Sequence, residues 1–463
     1  MRPINQKARD QIPILLRRHP GAKAAQLAQW TQTSQPTISR ILAAAGDDVI
    51  AIGAGPRRRY YARRSLRGSP GTLPLYAVDA QGQAAQVGTL QLTQPQGTVF
   101  DVAAMGWPIE AEFADGVWPG LTYPLQDMRP QGFLGRSFAR SLALDLGVSA
   151  NPAEWQDDDV LYILAQRGAD TSGNLILGEV ALQRWLQAKA GPSPLIAAQD
   201  IAQAYAQKAN HASALGAVGS SAAGEFPKFT AVRELAGSQT PHVIVKFSGA
   251  ERSGAVQRWA DLLVCEHLAL ETIRGCQGID SAASRILQIE GRTLIEVERF
   301  DRHGEFGRSA LCSLETLDAA LLVKSSNDWG ALGELMREQG WINDESARQM
   351  RLIWLFGKLI ANTDMHKGNL SFVPSLPIPL SMCVAPVYDM LPMMYAPLAG
   401  GELSTPHYSP ALPTPQQREL WLEACASALE FWLLASSDER ISPKFRKICG
   451  KNHTELSRLK DVA

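Results

Sequence analysis

No stretch of this chain holds the ~18–20 consecutive apolar residues that a membrane-spanning helix requires. The opening Met1-Arg2-Pro3-Ile4-Asn5-Gln6-Lys7 lacks the apolar core of a secretory signal. Cysteine is sparse. The six cysteines, at 265, 276, 312, 383, 425 and 449, form no C-x-x-C pair, which argues against a zinc site or disulfide framework and fits a reducing cytosol. There is no internal repeat and no low-complexity block. The expectation is a cytoplasmic protein. With 463 residues, 45% hydrophobic and 20% charged, it has the composition of a globular chain too long for one ordinary core, so two or three domains are expected.

The formal net charge of −1 conceals an asymmetry. Residues 1–68 hold 13 Lys and Arg against three Asp, a formal +10, which leaves −11 for the other 395 residues. A basic end on an acidic body suggests a polyanion-binding module joined to something else. Ile12, Leu15 and Leu16 recur at helical spacing over 6–17, Pro20-Gly21 breaks the chain, and Ala24 to Trp30 forms a second helical stretch. A third begins with Ser34 as N-cap and Pro36 in the first turn. Ala25, Leu27, Ala28, Ile38, Ile41 and Leu42 would form a small core. That leaves Gln35, Thr37, Ser39 and Arg40 on an outer face suited to reading base edges in a major groove. Residues 49–52 and 59–62 follow as two strands of a wing whose tip carries Arg57 and Arg58, placed for phosphate contacts. Residues 1–67 therefore resemble a winged helix-turn-helix DNA-binding domain, which predicts a homodimer on paired half-sites.

Residues 68–74 read as a linker, and short alternating runs from Leu75 onward predict a small antiparallel sheet with helices to about residue 210. Ala/Gln richness over 187–210 predicts a surface helix. The small-residue stretch from Gly219 to Lys228 lacks the G-K-[ST] ending of a Walker A motif and reads as a loop. His242-Val243-Ile244-Val245-Lys246-Phe247 is a buried-strand pattern with one lysine, which either reaches solvent at an edge or bridges nucleotide phosphates. A phosphate-bridging lysine needs a carboxylate partner, and the following helix offers both Asp261 and Glu266.

Further on, Asp364 is followed five residues later by Asn369 and 20 residues after that by Asp389, within Asn362-Thr363-Asp364-Met365-His366-Lys367-Gly368-Asn369 and Val387-Tyr388-Asp389. Protein kinases space their machinery in this way: the first Asp takes the hydroxyl proton, while the Asn and second Asp hold Mg²⁺. Leu352, Leu355, Phe356, Leu359 and Ile360 predict a helix that delivers the loop at its C-terminus.

In this order, Ser220 to Lys228, His242 to Lys246, Val297-Glu298-Arg299-Phe300-Asp301-Arg302, the 362–369 segment and Tyr388-Asp389-Met390-Leu391-Pro392 resemble the HipA family of bacterial toxin kinases, over roughly residues 75–450. The N-terminal addition is similar to the YjjJ-like branch of that family. The resemblance implies an α+β chain: a winged helix-turn-helix followed by a two-lobed, protein-kinase-like fold. Residues 75–210 would form an N-terminal subdomain, 211–300 an N-lobe-like region and 301–463 a helical C-lobe. It implies a serine/threonine kinase using ATP and Mg²⁺, held in check by a HipB-type antitoxin.

Residue by residue, the resemblance makes Asp364 the catalytic base and Lys246 the holder of the α/β-phosphates, with Asn369 and Asp389 on Mg²⁺. Ala223, Gly224, Glu225, Phe226, Pro227 and Lys228 would line the phosphate loop, and Glu298, Arg299 and Phe300 would face adenine. His366, Lys367, Gly368 and Tyr388 complete the nucleotide set, His366 either packing the loop or touching the nucleotide. Ser221, or its neighbour Ser220, matches the family's autophosphorylated serine. The loop departs from the family's G-A-Q-E-K, and Pro227 removes one N–H donor. The competing expectation is a DNA-binding transcriptional regulator whose kinase-like body binds nucleotide without transferring phosphate.

Overall fold

The computed structural model describes residues 6–216, 226–375, 381–398 and 400–463. The expected phosphate-loop residues Ala223, Gly224 and Glu225, and the serines Ser220 and Ser221, lie outside the described residues. Helices α1 (Gln6–Arg18), α2 (Ala24–Trp30) and α3 (Gln35–Ala44) lead into an antiparallel hairpin of β1 (Val49–Ile52) and β2 (Arg59–Ala62), with Val49 opposite Ala62. Ile12, Leu16, Leu27, Ile38, Ile41 and Leu42 share one small core. Ala25, expected in that core, is exposed. Ser34 occupies the N-cap of α3, but its hydroxyl bonds Thr37 Oγ1 at 2.9 Å rather than a backbone N–H.

A five-stranded sheet follows in the order β6-β5-β4-β3-β7: β3 (Thr72–Val78), β4 (Ala84–Leu92), β5 (Thr98–Val99), β6 (Val117–Trp118) and β7 (Leu175–Leu177). Helices α4 (Gly132–Leu146), α5 (Asp157–Arg167) and α6 (Glu179–Ala190) accompany it. Thr72 already pairs with Gln91, so residues 72–74 belong to this sheet and not to a linker.

The N-terminal unit is docked. Ile50 and Tyr61 pack on Val99, while Arg59, Arg64 and Arg67 pair with Asp115, Asp158 and Asp159, the last two at 2.9 and 2.6 Å. Part of the positive charge read as polyanion-binding therefore faces the protein itself.

The 187–210 stretch is split by Gly191 and Pro192, so that α6 ends at Ala190 and α7 (Ile201–Gly216) starts afresh. Helix α7 is packed rather than superficial. Ile201, Tyr205, Ala209 and Ala212 recur every three to four residues and cover Phe229, Val243, Val245, Phe247 and Leu294. These belong to a second antiparallel sheet, ordered β10-β11-β9-β8, of β8 (Lys228–Val232), β9 (His242–Phe247), β10 (Ser284–Ile289) and β11 (Arg292–Glu298). The division expected at residue 211 thus cuts through a helix committed to the sheet that follows it. Helix α8 (Gly254–Arg274) contacts β9, β10 and β11 and is buried along much of its length.

The remainder holds three short strands, β12 (Arg302–His303), β13 (Gly307–Arg308) and β14 (Cys312–Ser313), and the short helix α9 (Leu314–Leu317). Helices α10 (Trp329–Glu338) and α11 (Asp344–Leu359), strands β15 (Ser371–Ser375) and β16 (Ser381–Val384), and helices α12 (Arg418–Ser437) and α13 (Pro443–Val462) complete it. One continuous core joins this helical part to the first sheet, from Leu75 and Leu90 through Leu314 and Phe356 to Trp432. Among the described residues no helix is long and apolar enough to cross a membrane, and all six cysteines are free thiols.

Candidate active site

Alternation on β9 decides where its lysine points. Val243, Val245 and Phe247 face α7, which turns Ile244 and Lys246 to the opposite side of the sheet. There they line a cleft of about 1450 Å³, together with Lys228, Thr230, Val297, the 364–369 loop and Asp389. Small-ligand sites typically hold roughly 300–1,000 Å³, so this cleft has room for more than one small reactant. Lys228 lies directly across the ladder from Lys246, and both therefore enter on one face.

Lys246 Nζ is 2.7 Å from Glu266 Oε1 and 2.6 Å from Asp389 Oδ1. Of the two expected partners, then, Glu266 meets the lysine. Asp261 instead accepts from Ser442 N at 2.8 Å and Ser442 Oγ at 2.6 Å, at the N-terminus of α13. Burial alone would lower the Lys246 ammonium pKa, but the Asp389 and Glu266 carboxylates reverse this and hold it above its ordinary value. Burial also raises the Glu266 carboxyl, which Lys246 offsets only in part. For Asp389 the balance goes the other way: burial would raise its carboxyl, but Lys246, Lys228 and His366 hold it below the usual range. Lys246 is thus favoured as an ammonium and Asp389 as a carboxylate.

The loop carrying Asp364 starts where α11 stops. Ala361 adopts the left-handed conformation, φ 60°, and Asn362 N–H reaches back to Gly357 O at 2.8 Å. Gly357 packs closely here: a Cβ would lie 2.3 Å from Met365 Sδ, and that side chain would have to move aside. Asn362 Oδ1 then accepts Asp364 N–H at 3.0 Å, and Asn369 Nδ2 donates to Asp364 O at 2.9 Å. The loop is closed by its own asparagines, with the Asp364 side chain exposed in the cleft.

The Asn369 amide nitrogen is occupied by that bond, and its Oδ1 accepts nothing among the described residues; nor does Asp389 Oδ2. Two hard oxygens from facing loops fit a small dication such as Mg²⁺. Asp389 also holds a left-handed φ of 54°, a conformation that aspartate adopts more readily than most side chains. No group of three or more His, Cys, Asp or Glu able to hold a metal occurs among the described residues.

The other expected site residues divide. His366 Nδ1 accepts from Gly368 N at 3.1 Å, so the histidine packs its own turn while also lining the cleft. Tyr388 OH donates to Gly368 O at 2.8 Å, and its ring lies 5.7 Å from that of Phe300. Lys367 does not line the cleft; its Nζ is held by Asp318 Oδ2 and Lys324 O, both at 2.6 Å. Phe226 is buried against Trp259, and Pro227 lends its carbonyl to Phe247 N at 3.1 Å, so neither lines the cleft.

Glu298, Arg299 and Phe300 do line it. The side chain of Glu298 is committed to Arg233 at 3.0 Å and that of Arg299 to Asp301 at 3.0 Å, while their N–H groups bond Ala283 O and His242 O. Only backbone groups of this segment, above all around Phe300, would remain for a base. In the N-terminal unit, Gln35, Ser39, Arg40, Arg57 and Arg58 are exposed and Thr37 is half-buried.

The cleft wall formed by the 118–141 region and by Thr171 was not legible in the sequence. No motif marks those residues, and only the packing of the first sheet against the helical part brings them to the site.

Comparison with known proteins places these features in a family. Residues 69–186 match the family described as YjjJ-like toxin, middle domain, and residues 220–449 match the HipA-like C-terminal domain. The chain is 36% identical to Toxin YjjJ of Escherichia coli (strain K12) over 440 residues, 95% of each chain. Solved structures similar to it include a chain of the Shewanella oneidensis MR-1 toxin–antitoxin complex of HipA, HipB and operator DNA, with TM-score 0.47 and 15% identity over 84% of this chain and 96% of that one. Another is the Helicobacter pylori proinflammatory kinase CtkA, with TM-score 0.34 and 14% identity over 51% of this chain and 88% of that one. At those scores neither structural likeness carries weight for function. The match to Toxin YjjJ along nearly the whole chain does: the protein belongs to the YjjJ-like toxin family, with a HipA-like C-terminal domain.

Proposed function

We propose that this chain is an ATP- and Mg²⁺-dependent serine/threonine protein kinase of the toxin class, fused to a DNA-binding winged helix-turn-helix over residues 1–67. The observation that carries the reading is the placement of Lys246 between Glu266 at 2.7 Å and Asp389 at 2.6 Å, facing the loop of Asp364 and Asn369. An ammonium fixed between two carboxylates beside an exposed aspartate is what phosphoryl transfer needs, since its catalysis is mostly positioning and charge stabilisation.

In this mechanism Lys246 holds the α/β-phosphates and Lys228 adds a second positive charge on the same face. The backbone of Glu298 to Phe300 receives adenine. Asn369 Oδ1 and Asp389 Oδ2 would hold Mg²⁺, which would supply positive charge to offset that of the phosphates. Asp364 accepts the proton of the acceptor hydroxyl as that oxygen bonds the γ-phosphorus and the bond to the ADP oxygen breaks. The acceptor is a protein Ser or Thr; Ser221, or Ser220, is the autophosphorylation site, next to a phosphate loop of which Lys228, not Phe226 or Pro227, reaches the cleft. A HipB-type antitoxin, DNA and a second copy of the chain are the partners, in the cytoplasm.

The test is nucleotide turnover by the purified chain beside Asp364→Asn. Transfer lost at least a thousandfold with nucleotide affinity retained supports the assignment; equal transfer by the variant removes it. A DNA-binding regulator with a nucleotide-binding but inactive body is the second reading. It is favoured by the exposed polar face of α3, where Gln35, Ser39 and Arg40 stand clear of the core. That reading requires operator binding and no phosphoryl transfer in the wild type.

A further inference from the structure

The V-E-R-F-D-R segment is built as a joint as well as a cleft edge. Arg302 Nη2 donates to Asp170 Oδ1 at 2.8 Å and to Thr171 O, and Arg299 Nη2 donates to the same carbonyl at 3.3 Å. Asp301 Oδ2 accepts from Gly173 N at 2.9 Å and from Arg302 Nη1 at 2.8 Å. Residues 170–173 belong to the stretch between α5 and β7, on the first sheet, so this network, buried at Asp301 and Arg302, fixes that unit against the end of β11.

The Thr171 carbonyl is therefore anchored twice, which sets where its side chain stands. Thr171 lines the same cleft as Phe300, yet its Oγ1 is shielded from solvent and has no hydrogen-bond partner among the described residues. A shielded hydroxyl without a partner is unfavourable, and such groups call for an explanation.

Its place along the strands says what would satisfy it. Lys246 pairs with Ile295, and Val243 with Glu298, three residues on. At the rise of a β-strand that is about 10 Å, the span from a nucleotide's inner phosphates to its nucleoside. Thr171, tied to Arg299, thus sits at the nucleoside end of a cleft whose phosphate end is Lys246.

We propose that Thr171 is a nucleotide-binding residue: its hydroxyl hydrogen-bonds a polar atom of the ribose or base of the bound nucleoside triphosphate, and Arg302 is the positioning residue that holds it there. The first sheet's unit then contributes directly to nucleotide recognition. This rests on the kinase reading above and deepens it.

The test is calorimetric titration of the full chain with ATP and, separately, with inorganic tripolyphosphate, in the wild type, Thr171→Val and Thr171→Ser. Valine keeps the shape and removes the hydroxyl. ATP affinity should fall about three- to tenfold in Thr171→Val, with tripolyphosphate affinity unchanged and the melting temperature equal or higher, because an unsatisfied hydroxyl has gone. Thr171→Ser should bind ATP as the wild type does. Unchanged ATP affinity in Thr171→Val, or an equal loss of both ligands, overturns the assignment while leaving the kinase reading intact. A wild type that binds neither ligand overturns both.

Discussion

Lys246 Nζ and Glu266 Oε1 meet at 2.7 Å inside the protein, the lysine from β9 and the glutamate from α8. Removing the glutamate's charge leaves the lysine to Asp389 alone. Glu266→Gln should therefore lower phosphoryl transfer roughly a hundredfold, the scale of an ångström-sized misplacement. Asp261→Asn, which touches Ser442 instead, should cost about 1 kcal/mol of stability and leave transfer near the wild-type rate. Rates and thermal midpoints of the two variants check this; equal rate losses would remove the special role of Glu266.

Asp389 bonds Lys246 through Oδ1, and in the proposed mechanism Oδ2 would be left for a metal. Asp389→Asn should abolish the gain in nucleotide affinity that Mg²⁺ provides, while metal-free nucleotide affinity does not fall, since Lys246 is then less restrained. Calorimetry with and without Mg²⁺ separates the two effects. An unaltered Mg²⁺ dependence would place the metal elsewhere.

The joint at Asp301 sets an acid-side signature. Burial would raise its carboxyl, but Arg299 and Arg302 hold it down to about 2, against 3.8 for the free group. A depressed pKa contributes stability that is present above pH ~4 and lost as pH falls toward 2. Asp301→Asn should thus cost about 2 kcal/mol near neutral pH. Urea midpoints of variant and wild type should begin to converge below pH ~4 and meet near pH ~2, and a constant gap would contradict the charge pairing.

For the proposed DNA contact, Arg57 and Arg58 are exposed between β1 and β2, whereas Arg64 pairs with Asp158. Each of Arg57→Ala and Arg58→Ala should reduce the slope of log affinity against log salt by about 1, and Arg64→Ala should leave the slope unchanged. Binding isotherms over a salt series decide; a slope change at Arg64 alone would place the DNA on another face.

That Asp364, Asn369 and Asp389 would share one site was legible because they stand at short, ordered spacings, and all three line the cleft. The lysine's partner was not. Asp261 and Glu266 stand five residues apart on one helix, about 140° around it at 3.6 residues per turn, and only the packing of α8 decides which one faces β9. Lys367 shows the same limit: its partner Asp318 is 49 residues away. The arginines of V-E-R-F-D-R could not be read as a joint, because Asp170 and Thr171 stand 131–132 residues from Arg302 in the chain. The helical faces of the N-terminal unit were readable from periodicity, but its docking was not, since Asp115, Asp158 and Asp159 look like ordinary surface charges in one dimension.

The central claim is phosphoryl transfer by this chain. Purified protein incubated with γ-labelled ATP and Mg²⁺, beside Asp364→Asn, with the label located by mass spectrometry, tests it most directly. Label is expected on Ser221 or Ser220 in the wild type and none in the variant. An unlabelled wild type that still binds the nucleotide would contradict it and leave the regulator in its place.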